Sequence, residues 1–196
     1  MPDQSGEVWL IRHGETEWSA SGRHTGRTDL ALTRKGREQA VLLREKLALR
    51  VFSLAMSSPL DRAVETCKIA GYGEVAEVTD DLMEWDYGEY EGLTSSQIRE
   101  KIAGWTIWTG DPAGGETIGQ VADRARRVIS RAREVKGDVV LFSHGHLLRV
   151  LCSCWLGLPP DSGRLFALGT ASISILGYER GAPVISLWNH YWCVAP

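Results

Sequence analysis

The chain has 196 residues, of which 43% are hydrophobic and 24% are charged, and its formal net charge is −3. This length and composition predict one globular domain over residues 1–196 and exclude the disordered and membrane-spanning classes. A chain without excess positive charge is not expected to bind nucleic acid or an anionic membrane, so any anion site has to be built locally.

The start of the chain and its cysteines indicate a cytoplasmic protein. The start, Met1 to Glu7, is polar, and the apolar run Val8 to Ile11 is too short for a signal-peptide core or a membrane span. The cysteines are too few and too scattered for a disulfide scaffold, so we expect reduced thiols; they are Cys67, Cys152, Cys154 and Cys193. The oligomeric state stays open, with a homodimer as one alternative.

The first half of the chain alternates predicted strands with predicted helices. Buried strands are indicated by short apolar runs, and helices by N-cap residues followed by apolar positions on one face. In chain order these elements are a strand Glu7 to Ile11, a helix from its N-cap Thr33 to about Leu49, a strand Phe52 to Ser57, a helix Pro59 to Ala70 with Ser58 as N-cap, and a strand Val75 to Thr79.

The second half continues the alternation after an acidic, glycine-containing loop, Leu82 to Gly92. Capping boxes, in which an N-cap Thr and a Gln three residues later bond reciprocally, predict two helices. The two helices begin at Thr94 with Gln97 and at Thr117 with Gln120, and between them lies an ordered surface loop and candidate lid, Trp105 to Glu116. The remaining elements are a strand Asp138 to Ser143, a helix Leu147 to Leu156, and strands Arg164 to Tyr178 and Val184 to Trp188.

This alternation predicts an α/β fold, a three-layer α/β/α sandwich around a mostly parallel central sheet. Sites in such sheets gather at the carboxyl ends of the strands. Three polar loops follow predicted strands, namely Arg12 to Glu15, Ser57 to Arg62 and Ser143 to His146. We therefore expect these loops to meet at one end of the sheet.

The segment Leu10-Ile11-Arg12-His13-Gly14-Glu15-Thr16-Glu17 resembles the signature of the histidine phosphatase superfamily. That superfamily includes phosphoglycerate mutases and small phosphatases, and the resemblance is to its branch 1. Further matches follow in the right order over Val8 to Leu151: Thr25-Gly26, Thr28-Asp29, Leu32-Thr33 with Gly36, Gln39 and Ala40, Ser57-Ser58-Pro59 with Arg62, Ala63 and Thr66, Leu82 with Glu84 and Gly88, and Ser143-His144-Gly145. The resemblance implies a phosphoglycerate mutase-like fold.

The chemistry of phosphoryl transfer explains why these residue types would be needed. The transferred group spreads negative charge over three oxygens, so the protein must mainly position it and neutralise it with fixed cations. Arg12, Arg62 and His144 would supply those cations around His13. A neutral imidazole whose other nitrogen is fixed by a hydrogen bond is a competent nucleophile, and we assign this role to His13.

Glu84 is the general acid that the family pattern implies, since a carboxyl group near phosphate oxygens can hold the proton that the leaving oxygen needs. Three neighbouring carboxylates compete for this role, namely Asp86, Glu89 and Glu91. Arg62 also has an alternative interpretation as a solvated residue in the first turn of a helix. A cation there is disfavoured by the helix dipole unless an anion lies nearby.

Substrate contacts are expected, by the same resemblance, at Ser19, Thr25, Gly26 and Gly145. Many mutases have Asn at the position of Ser19, so this segment is closer to small phosphatases, including sugar bisphosphatases of the sedoheptulose-1,7-bisphosphatase kind. His144 and His146 could alternatively form half of a metal site, but no third ligand is evident. We expect no metal and no cofactor, and a structural role for His146.

The sequence therefore predicts a phosphatase that hydrolyses a small phosphorylated metabolite, a sugar phosphate or similar phosphomonoester, through a phosphohistidine. A cofactor-dependent phosphoglycerate mutase is the alternative. A mutase must shield the phosphohistidine from water, and the segment Gly92 to Thr117 is short beside the insertion of typical mutases, which favours hydrolysis. A non-catalytic phosphate-binding regulatory module is the alternative of another class. Such a module would usually have lost the nucleophile or one of its cationic partners, and all of these residues are present here.

Overall fold

The computed structural model describes residues 5–191, so the thiol predicted at Cys193 and the first four residues of the polar start lie outside it. Strands and helices alternate along the described chain, as the sequence predicts. In chain order they are β1 (Ser5–Arg12), α1 (Glu17–Ala20), α2 (Arg34–Leu47), β2 (Leu54–Ser57), α3 (Asp61–Ile69), β3 (Glu77–Val78), α4 (Ser95–Lys101), α5 (Ile118–Arg133), β4 (Gly137–Ser143), α6 (Gly145–Trp155), β5 (Ile173–Glu179) and β6 (Ala182–His190).

The strands of residues 5–191 form one sheet with the order β3-β2-β4-β1-β5-β6. The pairings of β1 with β4, β4 with β2 and β2 with β3 are parallel, whereas β1 with β5 and β5 with β6 are antiparallel. β1 and β4 lie side by side at the centre, and Arg12 at the end of β1 pairs with Ser143 at the end of β4. The mostly parallel sheet is confirmed, with an antiparallel pair at one side.

Successive residues of β1 face opposite layers of the molecule. Val8 and Leu10 pack into a core shared with α5 and α6, whereas Trp9 and Ile11 pack into a second core that includes Leu43 of α2. Both faces of the central strands are therefore buried, which is why these strands are continuous apolar runs. This arrangement is the α/β/α sandwich that the sequence predicts.

One predicted helix start is wrong. Ser58 is not the N-cap of α3, which begins at Asp61 after an N-cap residue, Leu60, that makes no side-chain capping bond. The hydroxyl of Ser58 lies 2.8 Å from Nε2 of His144 and also accepts a bond from the Leu60 amide. The hydroxyl that the local pattern assigns to the helix N-cap therefore bonds a distant residue, His144, instead.

The long strand predicted over Arg164 to Tyr178 is also wrong in its first half. A 3₁₀ helix occupies Pro160–Leu165, and β5 begins only at Ile173. Ala171 has a φ of 53°, a left-handed conformation that interrupts extended backbone. Smaller shifts at element ends also occur: α2 ends at Leu47, β2 begins at Leu54, and β3 is confined to Glu77–Val78.

Both predicted capping boxes are present, at Thr94 with Gln97 before α4 and at Thr117 with Gln120 before α5. The predicted loop between these helices is ordered, because Trp105 is buried and its indole nitrogen donates to the Gly110 carbonyl. Across residues 5–191, no helix combines the length and the apolar character that crossing a bilayer requires.

Candidate active site

The ends of β1 and β4 bring the two predicted site histidines together. His13 directly follows β1 and His144 directly follows β4, and their ring centroids lie 5.1 Å apart. The His13 backbone amide donates to the Ser143 carbonyl at 2.9 Å, which extends the strand pairing into the site. The meeting of these loops at one end of the sheet follows directly from the parallel register.

His13 is buried as a neutral imidazole with a fixed tautomer. Its Nδ1 lies 2.7 Å from the Gly14 carbonyl oxygen, which can only accept, so Nδ1 carries the hydrogen and Nε2 keeps a lone pair. Burial first, and then the positive charges of Arg62 and Arg12, hold the pKa of His13 well below 6.5. A nucleophile is therefore available at neutral pH without prior deprotonation.

Arg12 lies beside His13 in the wall of a pocket and has one unused donor. One guanidinium nitrogen donates to the Leu168 carbonyl, whereas the buried Nε has no hydrogen-bond partner among the described residues. Gly145 leaves this edge open, since a Cβ built there would lie 3.4 Å from Arg12 Nε. An unpaired buried donor is costly, so this edge is prepared for an acceptor.

Arg62, in the first turn of α3, is completely buried and lies behind the histidines. Its nitrogens donate to the carbonyls of Thr28 (3.0 Å), Gly26 (2.8 Å) and Thr25 (3.2 Å), and Nε donates to Nδ1 of His144 at 3.1 Å. The predicted interpretation as a solvated residue is therefore wrong. Arg62 contributes positive charge and orientation to the site, and its donors are directed to protein acceptors.

His144 receives that bond on Nδ1, so its hydrogen lies on Nε2 and is donated to the Ser58 hydroxyl at 2.8 Å. Burial, followed by the charge of Arg62, holds the pKa of His144 well below 6.5. The imidazole of His144 is therefore neutral in this environment, and the fixed positive charge expected at this residue stays a prediction.

Glu84 is the carboxylate that reaches the pocket. It is 5% exposed, and its Oε1 accepts the amides of Trp85 and Leu147 at 2.9 Å while Oε2 accepts the amide of His146 at 3.0 Å. Oε2 retains a further lone pair that can face a ligand, whereas both lone pairs of Oε1 are used by the two amides. Among the described residues of the pocket wall, Glu84 is the one acid, so Asp86, Glu89 and Glu91 do not reach this position.

These residues enclose a cavity of about 100 Å³, which we call the inner pocket. Three of the four predicted substrate contacts line it, and the described lining comprises Arg12, His13, Ser19, Arg23, His24, Thr25, Glu84, Tyr87, Gly145, His146, Arg149 and Leu168. The Ser19 hydroxyl also caps α1, where it bonds the Thr16 amide at 2.9 Å. Its position between cap and pocket limits how far it can turn toward a ligand.

Gly26, the fourth predicted contact, does not line the inner pocket as the structure describes it. It is glycine for a packing reason, because a Cβ there would lie 2.1 Å from the Glu91 carboxylate and 2.5 Å from the Trp85 carbonyl. Its own carbonyl accepts from Arg62. Gly26 therefore fits a structural role, in which it lets its loop approach closely enough to hold the arginine.

Several lining residues received no functional role from the sequence, and one signal could have found Arg149. Arg149 lies four residues after Gly145 on α6, and a spacing of three or four places helical residues on one face. His146 reaches the pocket and its Nδ1 lies 2.6 Å from the Tyr87 hydroxyl, so it does more than fill space. Tyr87 and Leu168 carry no comparable signal in the sequence.

Within residues 5–191, no three His, Cys, Asp or Glu side chains come together as a group that could hold a metal ion. Cys67, Cys152 and Cys154 carry free thiols. The pKa of the Cys67 and Cys152 thiols is raised to about 12 by burial, so both thiols are protonated at neutral pH.

Comparison with protein families matches residues 8–191 to the model described as "Histidine phosphatase superfamily (branch 1)". The chain belongs to this superfamily. The histidine phosphatase fold is further supported by a solved structure of a Mycobacterium tuberculosis open reading frame, with a TM-score of 0.91 at 43% identity over 95% of this chain and 98% of that one.

Three curated relatives of this histidine phosphatase carry different activities in their names. An acid phosphatase of Mycobacterium tuberculosis is 45% identical, covering 92% of both chains. A sedoheptulose 1,7-bisphosphatase of Saccharomyces cerevisiae is 33% identical over 81% of this chain and 70% of its own. A probable phosphoglycerate mutase of Salmonella choleraesuis is 32% identical over 93% of this chain and 89% of its own.

Proposed function

We propose that this protein is a phosphatase that hydrolyses a small phosphomonoester through a phosphohistidine formed on His13. The observation that carries the proposal is the state of His13, a neutral imidazole whose Nδ1 is held by the Gly14 carbonyl and whose Nε2 lone pair is available beside Arg12. The relatives named as phosphatases support hydrolysis as the outcome.

In the first step, Nε2 of His13 attacks phosphorus and the bond from phosphorus to the leaving oxygen breaks. Arg12 Nε, which has no partner among the described residues, donates to a phosphoryl oxygen and neutralises part of its charge. The phosphorylated ring is cationic, and its Nδ1 hydrogen stays bonded to the Gly14 carbonyl. Glu84, in the pocket wall, gives the leaving oxygen its proton.

In the second step, water attacks phosphorus and the bond from phosphorus to His13 breaks. Glu84 is now ionised and accepts a proton from the water, which restores both side chains. The three backbone amides that bond Glu84 fix its position through the cycle. His144 and Arg62 support these steps from behind the nucleophile, and a bound phosphate dianion would raise the pKa of His144 by its charge.

The test is hydrolysis of para-nitrophenyl phosphate in the presence of EDTA by the unaltered protein and by His13→Ala. The variant is expected to lose at least about a thousandfold in kcat/KM, since it lacks the group that forms the intermediate. A matched control is Arg44→Gln, on an exposed residue in the last turn of α2. Undiminished turnover by His13→Ala would contradict the mechanism, and absent turnover by the unaltered protein would favour the non-catalytic module.

A phosphoglycerate mutase is the second candidate, because one relative is named as a probable enzyme of that kind. It is tested by supplying 3-phosphoglycerate with a trace of 2,3-bisphosphoglycerate. We expect inorganic phosphate as the main product. Rapid formation of 2-phosphoglycerate with little phosphate release would replace the phosphatase assignment.

The cytoplasm is the compartment that we propose, because the described cysteines carry free thiols. The homodimer stays a prediction.

A further inference from the structure

A second and wider cavity opens directly beside the inner pocket. This outer pocket has a volume of about 340 Å³. The two pockets share Arg12, Ser19, Arg23, His24 and His146 in their walls. A substrate whose phosphate lies against His13 would therefore extend the rest of its structure into the outer pocket.

The wall of the outer pocket is strongly cationic in an acidic protein. Arg12, Arg23 and Arg99 line it, and no carboxylate is found among its described lining residues. The whole chain has 25 acidic and 22 basic residues, so this concentration of arginine runs against its overall charge. His24 adds no positive charge near neutral pH, since burial lowers its pKa to about 4.

Arg23 and Arg99 are exposed, and no ion pair with a carboxylate engages either of them within residues 5–191. The side chain of Arg99 and the backbone of Arg23 are nevertheless fixed at the pocket. The Arg99 Nε donates to the Trp105 carbonyl at 3.0 Å, and the Arg23 amide donates to the Trp18 carbonyl at 2.9 Å. Their terminal guanidinium nitrogens remain available to a ligand in the outer pocket.

The rest of the wall suits a short polar carbon chain. Ser95 and Thr106 provide hydroxyl groups, and Ile107 and Trp108 provide an apolar side. Arginine forks bind phosphate and carboxylate oxygens through paired charge-assisted hydrogen bonds. The outer pocket thus combines a surface for a carbon skeleton with two cations for an anionic end.

We propose that the outer pocket binds a second anionic group of the substrate, a phosphate or a carboxylate, through Arg23 and Arg99. The substrate class is then a small bisphosphate or a phosphorylated carboxylic acid rather than a simple monophosphate. This proposal rests on the proposed function, because it takes the phosphate at His13 as the group that is removed.

The test compares substrates that differ in the second anionic group alone. One pair is 3-phosphoglycerate and glycerol 3-phosphate, which differ in a carboxylate, and the other is fructose 1,6-bisphosphate and fructose 1-phosphate, which differ in a phosphate. The unaltered protein is expected to favour the doubly anionic member of at least one pair, and the pair that shows the preference identifies the anion. The measured quantity is the ratio of kcat/KM within each pair.

Arg99→Gln should reduce that ratio by about tenfold, and the double variant Arg23→Gln with Arg99→Gln by about a hundredfold, since each removes one charge-assisted contact. Arg44→Gln, on an exposed face of α2, is the matched control and should keep the ratio. A preference that survives both arginine changes, or no preference in either pair, would overturn the proposal. Failure of the proposed function is distinguishable, because none of the four compounds would then be hydrolysed.

Discussion

Gly145 lies close to the Arg12 guanidinium in the wall of the inner pocket. Gly145 is the first residue of α6, where alanine fits the backbone, and it lies next to the buried, unpartnered Nε of Arg12. A methyl group at this position would lie in contact with the guanidinium, 3.4 Å from that donor, and would hinder the approach of an acceptor.

Gly145→Ala is therefore expected to lower kcat/KM for para-nitrophenyl phosphate by about tenfold to a hundredfold, the loss of one charge-assisted hydrogen bond, while the protein stays folded. Gly119→Ala is a matched control, because Gly119 is a helical glycine in α5 whose added Cβ would meet nothing closer than 3.7 Å. Steady-state kinetics with circular dichroism checks both variants, and normal kinetics for Gly145→Ala would contradict the assigned role of Arg12.

For single residues, the sequence predicts which side chains come together at the site but not which hydrogen bonds each of them makes. His13, Arg12 and Glu84 reach the inner pocket as expected. Arg62 and His144 lie behind it, because the acceptors of Arg62 are backbone carbonyls more than thirty residues away in sequence. Such partners depend on the tertiary path of a loop, which no local pattern encodes.

Helix starts divide into those fixed locally and those decided by distant contacts. The capping boxes at Thr94 and Thr117 involve residues three apart, so the sequence alone determines them. Ser58 carries an equally good capping signal, yet its hydroxyl bonds His144, 86 residues away in sequence. The strand predicted from Arg164 failed for a similar reason, since the left-handed Ala171 belongs to a connection whose Leu168 carbonyl bonds Arg12.

Thr117→Ala tests a locally determined start. The Thr117 hydroxyl accepts the Gln120 amide at 3.3 Å at the beginning of α5, and its removal is expected to reduce the free energy of unfolding by about 1 kcal/mol. Ser130→Ala, on an exposed position of the same helix, should leave that free energy within about 0.5 kcal/mol of the original. Urea denaturation measures both, and equal stability of the two variants would argue against the cap.

The whole molecule carries a pH dependence that arises from its buried histidines. Burial lowers the pKa of His13, His144 and His146 well below 6.5, and that of His24 to about 4. Below pH 6.5 the unfolded chain binds protons that the folded chain excludes, so stability falls as the pH falls from 6.5 toward the folded-state values, and this contribution is flat above 6.5.

Each such histidine contributes a slope of at most about 1.4 kcal/mol per pH unit within that range. Urea denaturation at pH 7.5, 6 and 5 should therefore show progressive destabilisation toward acid. His24→Gln should flatten the profile, whereas Arg44→Gln, at an exposed position of α2, should keep the original slope. A free energy of unfolding that rises toward pH 5 would contradict the neutral state of these side chains.

The two site histidines and the outer pocket depend on different parts of the fold. Arg12 at the end of β1 pairs with Ser143 at the end of β4, directly before the two histidines. The spacing of His13 from His144 is set by main-chain bonds between central strands, which side-chain changes elsewhere leave intact. The outer pocket is built instead from the segment before α2 and from α4 with the loop that follows it, where mutations accumulate more readily. Descendants of one ancestral enzyme could thus exchange their substrates while keeping a common reaction.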